Sequence, residues 1–146
     1  MPVRVRPLEP TDYDSWLPLW QGYLTFYKTS IPPEVTAETW RRIVDPEGPI
    51  HAFGAFDESG RLIGIVHYLF HPVTWASRER CYLEDLFVNP EARGTGAGRA
   101  LIEAVYRAAD EAGADQVYWL TAQDNSTARQ LYDRVARATP FMKYQR

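Results

Sequence analysis

Apolar and polar residues alternate along Val3-Arg4-Val5-Arg6, the period of a half-buried strand. Between Tyr13 and Tyr27 the period changes. Trp16, Leu17, Trp20, Tyr23, Leu24 and Tyr27 recur at spacings of three and four, which predicts a helix with a broad apolar face. Pro10-Thr11-Asp12 offers its turn and N-cap, and Ile31-Pro32-Pro33 breaks it. A second helix is predicted over about Thr36 to Val44, stopped by Asp45-Pro46-Glu47-Gly48-Pro49. Ile50 to Phe56 and Leu62 to Phe70 then read as a hairpin joined by Asp57-Glu58-Ser59-Gly60. A loop around Pro72 leads to a third long strand, Cys81 to Val88, which Pro90 stops.

Beyond that point the helical period returns. Gly98 to Ala112 places Leu101, Val105, Ala108, Ala109 and Ala112 on one stripe, with Gly113 as its cap and Glu103 and Arg107 as a supporting pair. Gln116 to Thr121 predicts a strand. Asn125 can cap a last helix whose inner face is Ala128, Leu131, Tyr132 and Val135. Phe141 to Tyr144, after Pro140, predicts a final short strand. The order β-α-α-β-β-β-α-β-α-β implies an α/β fold with a mixed sheet: an antiparallel hairpin first, then a parallel pair with a right-handed crossover. Residues 1–146 read as a single domain, with no repeat or linker.

Composition narrows the function classes. Apolar residues at 45% against 24% charged exclude a disordered chain. A net charge of −3 argues against a nucleic-acid partner. No run of about 18 apolar residues is present, so no membrane span is expected. One cysteine, Cys81, allows no intrachain disulfide, and no signal peptide is visible, so a cytoplasmic location is expected. Cys81 lies in a strand without a positioned histidine and reads as core. His51, His67 and His71 lack metal-ligand spacing, so no metal is expected.

The strongest chemical signal is Arg93-Gly94-Thr95-Gly96-Ala97-Gly98, set between a strand and an amphipathic helix. Glycines in alternate positions leave backbone N–H groups unshielded. At a helix start those groups are unpaired and the dipole adds positive charge, a setting for a phosphate or pyrophosphate. Arg93 can add a forked cation. A P-loop would need Gly-Lys-Ser/Thr where Gly98 is followed by Arg99-Ala100. A dinucleotide fingerprint would need glycine at position 99 or 101, which hold Arg and Leu.

Leu83-Glu84-Asp85-Leu86-Phe87-Val88-Asn89-Pro90, then Arg93 to Gly98, then Leu101, resembles the GCN5-related N-acetyltransferase (GNAT) superfamily. Arg93, Gly96 and Gly98 match its Arg/Gln-x-x-Gly-x-Gly/Ala signature. Asn125, Ala128 and Leu131-Tyr132 match its later Asn-x-x-Ala-x-x-Leu/Phe-Tyr segment. The Leu-Glu-Asp strand looks closest to the polyamine, thialysine and small histone-type acetyltransferases. The family's usual Gly-Phe pair after the tyrosine is replaced here by Asp133 to Phe141.

The resemblance implies a GNAT-like acyl-CoA N-acyltransferase fold, a central twisted mixed sheet with helices on both faces. It also implies acetyl-CoA as the donor. Pyrophosphate would lie on Arg93, Gly94, Thr95, Gly96, Ala97 and Gly98. The pantetheine arm would run along Leu86, Phe87 and Val88, flanked by Asn125 and Ala128. Arg99 can reach a coenzyme phosphate or simply be solvated. Glu84 would be the general base, directly or through water, with Asp85 in reserve should a bulge reverse the facing of the strand. Plain alternation puts Tyr82, Glu84 and Leu86 on one face and Cys81, Leu83 and Asp85 on the other. Tyr132 would donate a proton to the departing thiolate. Tyr23, Tyr27 and Trp75 would wall the acceptor pocket with Asp85. The acceptor is expected to be a small-molecule amine or a lysine side chain, and the late strand is expected to pair across a homodimer.

Overall fold

The computed structural model describes residues 2–146. Five strands form one sheet in the order β1-β2-β3-β4-β5: β1 (Arg4–Pro7), β2 (His51–Phe56), β3 (Leu62–His71), β4 (Arg80–Val88) and β5 (Val117–Tyr118). Neighbours run antiparallel except β4 and β5, which are parallel, so the sheet is mixed as expected. Four helices complete the fold: α1 (Tyr13–Phe26), α2 (Pro33–Val44), α3 (Ala97–Ala112) and α4 (Ser126–Val135).

The two faces of the sheet carry separate cores. On one, α3 lays Leu101, Ile102, Val105 and Ala109 against Ala55, Ile63, Val66, Cys81 and Leu83, with Leu131 and Tyr132 of α4 at the margin. On the other, α1 and α2 lay Trp16, Leu19, Trp20 and Ile43 against Leu8, Ala52, Phe56, Leu62 and Ile65. Apolar stripes of helical period, burying against an almost continuously apolar β3, give helices on both faces.

Four features differ from expectation. Asp12 stands at the N-cap position of α1 but makes no capping bond there. Its carboxylate instead accepts from the two terminal guanidinium nitrogens of Arg6, at 2.8 and 3.1 Å, and from the Glu9 N–H at 2.7 Å, tying β1 to the start of the helix. Glu103 pairs with Arg99 at 3.0 Å rather than with Arg107. Strand β5 ends at Tyr118 instead of Thr121, because the chain leaves β4 there. Phe141 to Tyr144 forms no strand. Phe141 and Tyr144 are 86% and 90% exposed, and this segment finds no sheet edge within its own chain.

Candidate active site

Strand β4 carries the site, and one bulge organises it. His67 of β3 faces Asp85 while the next residue, Tyr68, faces Leu83, so Glu84 is the extra residue between them. The bulge breaks plain alternation. Leu83 and Leu86, three apart, both pack against the α3 core, while Phe87 packs against the α1–α2 core. Asp85 therefore shares the α1 face with Phe87 and not the α3 face with Leu83, correcting the alternation read from sequence. Glu84 is lifted into an exposed position at the break. The strand and its neighbours still keep water from part of its carboxyl, and this partial desolvation, then the negative charge of Asp85, raises its pKa.

Asp85 meets a file of aromatic residues from α1. The Trp16 indole N–H donates to Nε2 of His67 at 3.1 Å. His67 is 1% exposed, and its Nδ1 lies 2.9 Å from Oδ2 of Asp85. Trp20 and Tyr23 stack at 5.4 Å, and Tyr23 meets Tyr27 at 5.0 Å. Burial, then the Asp85 charge, pushes the Tyr23 hydroxyl well above its ordinary range, and the same two causes raise Tyr27. Gly22 permits this closeness: a Cβ there would sit 3.0 Å from the Phe87 ring. The structure thus brings Tyr23, Tyr27, Glu84 and Asp85 together. Trp75 stands apart, 87% exposed on the β3–β4 loop, with no ring partner among the described residues.

Tyr132 closes the site from α4. It is half-buried, and its ring meets Trp119 edge-on at 5.4 Å. Burial pushes its pKa up to about 12, with Tyr27 contributing. Between α4 and β4 the sheet parts. Only Cys81 and Tyr82 pair with β5, so the backbone from Leu83 to Val88 is bonded to β3 on one side and open on the other. Asn125 and Ala128 lie at the start of α4, Asn125 in the N-cap position without a side-chain capping bond. Just past β5 lies Thr121, whose Oγ1 is the one buried side-chain polar atom without a hydrogen-bond partner among the described residues.

The glycine loop leads from β4 into α3. Gly94 and Gly96 have φ of +81° and +83°, a region costly for residues with a Cβ. Thr95 turns its hydroxyl inward to the Ala92 carbonyl at 2.7 Å, bracing the turn. Among the described residues, the N–H groups of Gly94, Thr95, Gly96, Gly98 and Arg99 have no protein acceptor, whereas Ala97 N–H meets Thr95 Oγ1 at 3.4 Å. Gly98 serves packing: a Cβ there would lie 3.3 Å from Leu131. Arg93 is exposed and forms no ion pair among the described residues. Arg99 is held by Glu103 (3.0 Å), on the side of α3 that faces β1. There Val3, Val5, Gly96, Arg99 and Glu103 line an open hollow of about 270 Å³ that contains none of the cleft's tyrosines or carboxylates. Among the described residues no cluster of His, Cys, Asp and Glu could hold a metal.

Residues 13–136 match the model of the acetyltransferase (GNAT) family. The chain belongs to that family. It is an N-acetyltransferase of the acetyl-CoA-dependent kind. The chain is similar to D-amino-acid N-acetyltransferase HPA3 of Saccharomyces cerevisiae, 44% identical over 99% of this chain and 90% of that one. It is also similar to thialysine N-epsilon-acetyltransferase of Bos taurus, 33% identical over 60% of this chain and 45% of that one. Among solved structures, aminoglycoside N-acetyltransferase AAC(6')-Iy with a bisubstrate analogue shares the fold, with TM-score 0.85 and 20% identity over 100% of this chain and 98% of the other. The residues of this GNAT chain fit a coenzyme A thioester. They offer five unshielded amides for a diphosphate, an open strand edge for an amide-bearing arm, and the unpaired Thr121 hydroxyl where the strands part.

What sequence reasoning missed was the Trp16–His67–Asp85 chain of hydrogen bonds. A signal was available. His67 interrupts the apolar run Leu62-Ile63-Gly64-Ile65-Val66, and a histidine buried in such a strand requires a polar partner.

Proposed function

We propose that this enzyme transfers an acetyl group from acetyl-CoA to a primary amine by direct attack in a ternary complex, with Glu84 as base and Tyr132 as acid. The observation that carries this reading is convergence. Glu84 at the β4 bulge and Tyr132 on α4 gather with Tyr23 and Tyr27 where β4 and β5 part, at the far end of β4 from the open amides of Gly94 to Arg99.

A primary amine reaches the site protonated, since its pKa is about 10.4. Glu84, with its raised pKa, accepts that proton directly or through one water. Acetyl-CoA supplies an activated acyl carbon. The amine nitrogen forms the new bond to it as the carbon–sulfur bond breaks. Tyr132 gives its proton to the sulfur, whose conjugate thiol has a pKa of about 8.5; the second proton leaves the nitrogen as the amide forms and restores the Tyr132 hydroxyl, and Glu84 passes its own to solvent. Asp85 is engaged by His67 and Tyr23, which favours Glu84 over Asp85 as the base.

The walls favour a cationic acceptor. Glu84 and Asp85 face the site with no Arg or Lys paired to either among the described residues, and tyrosine rings line the approach. The activity named for the yeast relative adds D-amino acids to the candidates. A spectrophotometric thiol-release assay over polyamines, D- and L-lysine, thialysine, other D-amino acids, a lysine peptide, an aminoglycoside and an arylamine tests the reading. Fast release is expected with at least one cationic amine. Release no faster than thioester hydrolysis with every amine would sink it.

A further inference from the structure

Three groups in file lead from the α1 core to the acceptor site. Trp16 and His67 are buried, and neither has a part in the acid–base chemistry above. The hydrogen bonds between them fix the proton. The indole N–H can only donate, so Nε2 of His67 must accept and carries no hydrogen. The remaining ring proton of a neutral imidazole then sits on Nδ1, where it donates to Oδ2 of Asp85 at 2.9 Å. A doubly protonated ring would turn an N–H of its own against the indole donor. Trp20, whose ring lies 5.3 Å from that of His67, and Trp16, at 6.1 Å, close the ring in from the α1 side. One oxygen of Asp85 is thereby tied down from behind, while the carboxylate also meets the Tyr23 hydroxyl on the side of the site.

We propose that His67 is a positioning residue for the acceptor: locked by Trp16 as the Nδ1–H tautomer, it holds Asp85 as a fixed anionic anchor for the incoming ammonium group. The proposal rests on the cationic-amine reading of the site and adds the device that sets acceptor recognition. A neutral imidazole orients the carboxylate without cancelling its charge, and this is what makes the arrangement useful. An arginine or imidazolium in the same place would pair with Asp85 and remove the attraction. The aromatic file of α1 then does more than fill a core, because it dictates which proton His67 carries.

Two measurements test this. In the free enzyme, long-range nitrogen–proton NMR of His67 at pH 7 should show the neutral ring with its proton on Nδ1. A Nε2–H tautomer or an imidazolium would overturn the proposal, whatever the enzyme acetylates. In steady-state kinetics with the best amine of the panel, His67→Leu and Asp85→Asn should each raise the amine KM about tenfold, leaving the KM for acetyl-CoA within twofold. His67→Asn, whose amide can replace the Nδ1 donor, should recover most of the loss. An unchanged amine KM in a folded His67→Leu enzyme would overturn the proposal, as would an equal loss in His67→Asn and His67→Leu. Should His67→Leu fail to fold, the comparison of Asp85→Asn with His67→Asn still decides it. If no amine is acetylated, the function above fails, and the NMR result alone judges the His67 assignment.

Discussion

A Tyr132→Phe enzyme is expected to bind coenzyme and amine as before and to lose about a hundredfold in turnover, the scale of one positioned proton donor. The ring of residue 132 packs edge-on against Trp119 at 5.4 Å, and phenylalanine can keep that contact, so the fold should survive. Only the hydroxyl is removed. Burial pushes its pKa up to about 12, so the hydroxyl is fully protonated at neutral pH and is present as a donor when the sulfur leaves. No basic limb near neutral pH should arise from this group. The measurement is kcat with acetyl-CoA beside kcat with an acetyl thioester of a more acidic thiol. The second donor leaves without help and should recover much of the lost rate. A variant with full turnover on acetyl-CoA would remove Tyr132 from the acid role.

Glu84→Gln is expected to lower kcat/KM for the amine about a hundredfold at pH 7. The pH dependence follows from the direction of the shift. Desolvation and the Asp85 charge raise the Glu84 pKa, so the base becomes protonated and inactive at a higher pH than an ordinary carboxylate would. The acid limb of the wild-type profile should therefore lie above the usual carboxylate range, and the Gln variant should lack it. Stability should move the other way. A carboxyl whose folded pKa is raised destabilises the fold in full above that pKa; the penalty shrinks as the pH falls through the folded pKa and is gone below the unfolded one. Removing the charge should leave the variant as stable as the wild type at neutral pH, or slightly more so. A folded Glu84→Gln enzyme with wild-type kcat/KM would transfer the base role elsewhere.

The contrast between these carboxylates shows where sequence reasoning reached its limit. Helical period located α1, α3 and α4, and the glycine loop announced itself because alternate glycines before an amphipathic helix have few other uses. The mixed sheet followed from the order of the elements. The facing of Asp85 did not, because a bulge depends on the register with β3, and register is a property of two strands. The short β5 escaped for a related reason. Val117, Trp119 and Thr121 alternate as a strand should, yet pairing ends at Tyr118 where β4 and β5 part. Phe141 to Tyr144 has the composition of a strand and no neighbouring edge within its chain. Glu103 had cations four residues away on either side, and local spacing alone could not choose Arg99 over Arg107. The spacing of His67 speaks only against a metal, and its partners, Trp16 and Asp85, lie 51 and 18 residues away, beyond any local pattern.

Transfer by this enzyme depends on the loop before α3 holding the coenzyme so that its sulfur end lies between β4 and α4. Amide chemical-shift mapping on titration with coenzyme A tests this directly. The largest shifts are expected at Gly94, Thr95, Gly96, Gly98 and Arg99, continuing along Leu86 to Val88 to Tyr132. Saturable binding that leaves those amides still, with shifts confined to β1 and the hollow beside Val3 and Val5, would contradict it.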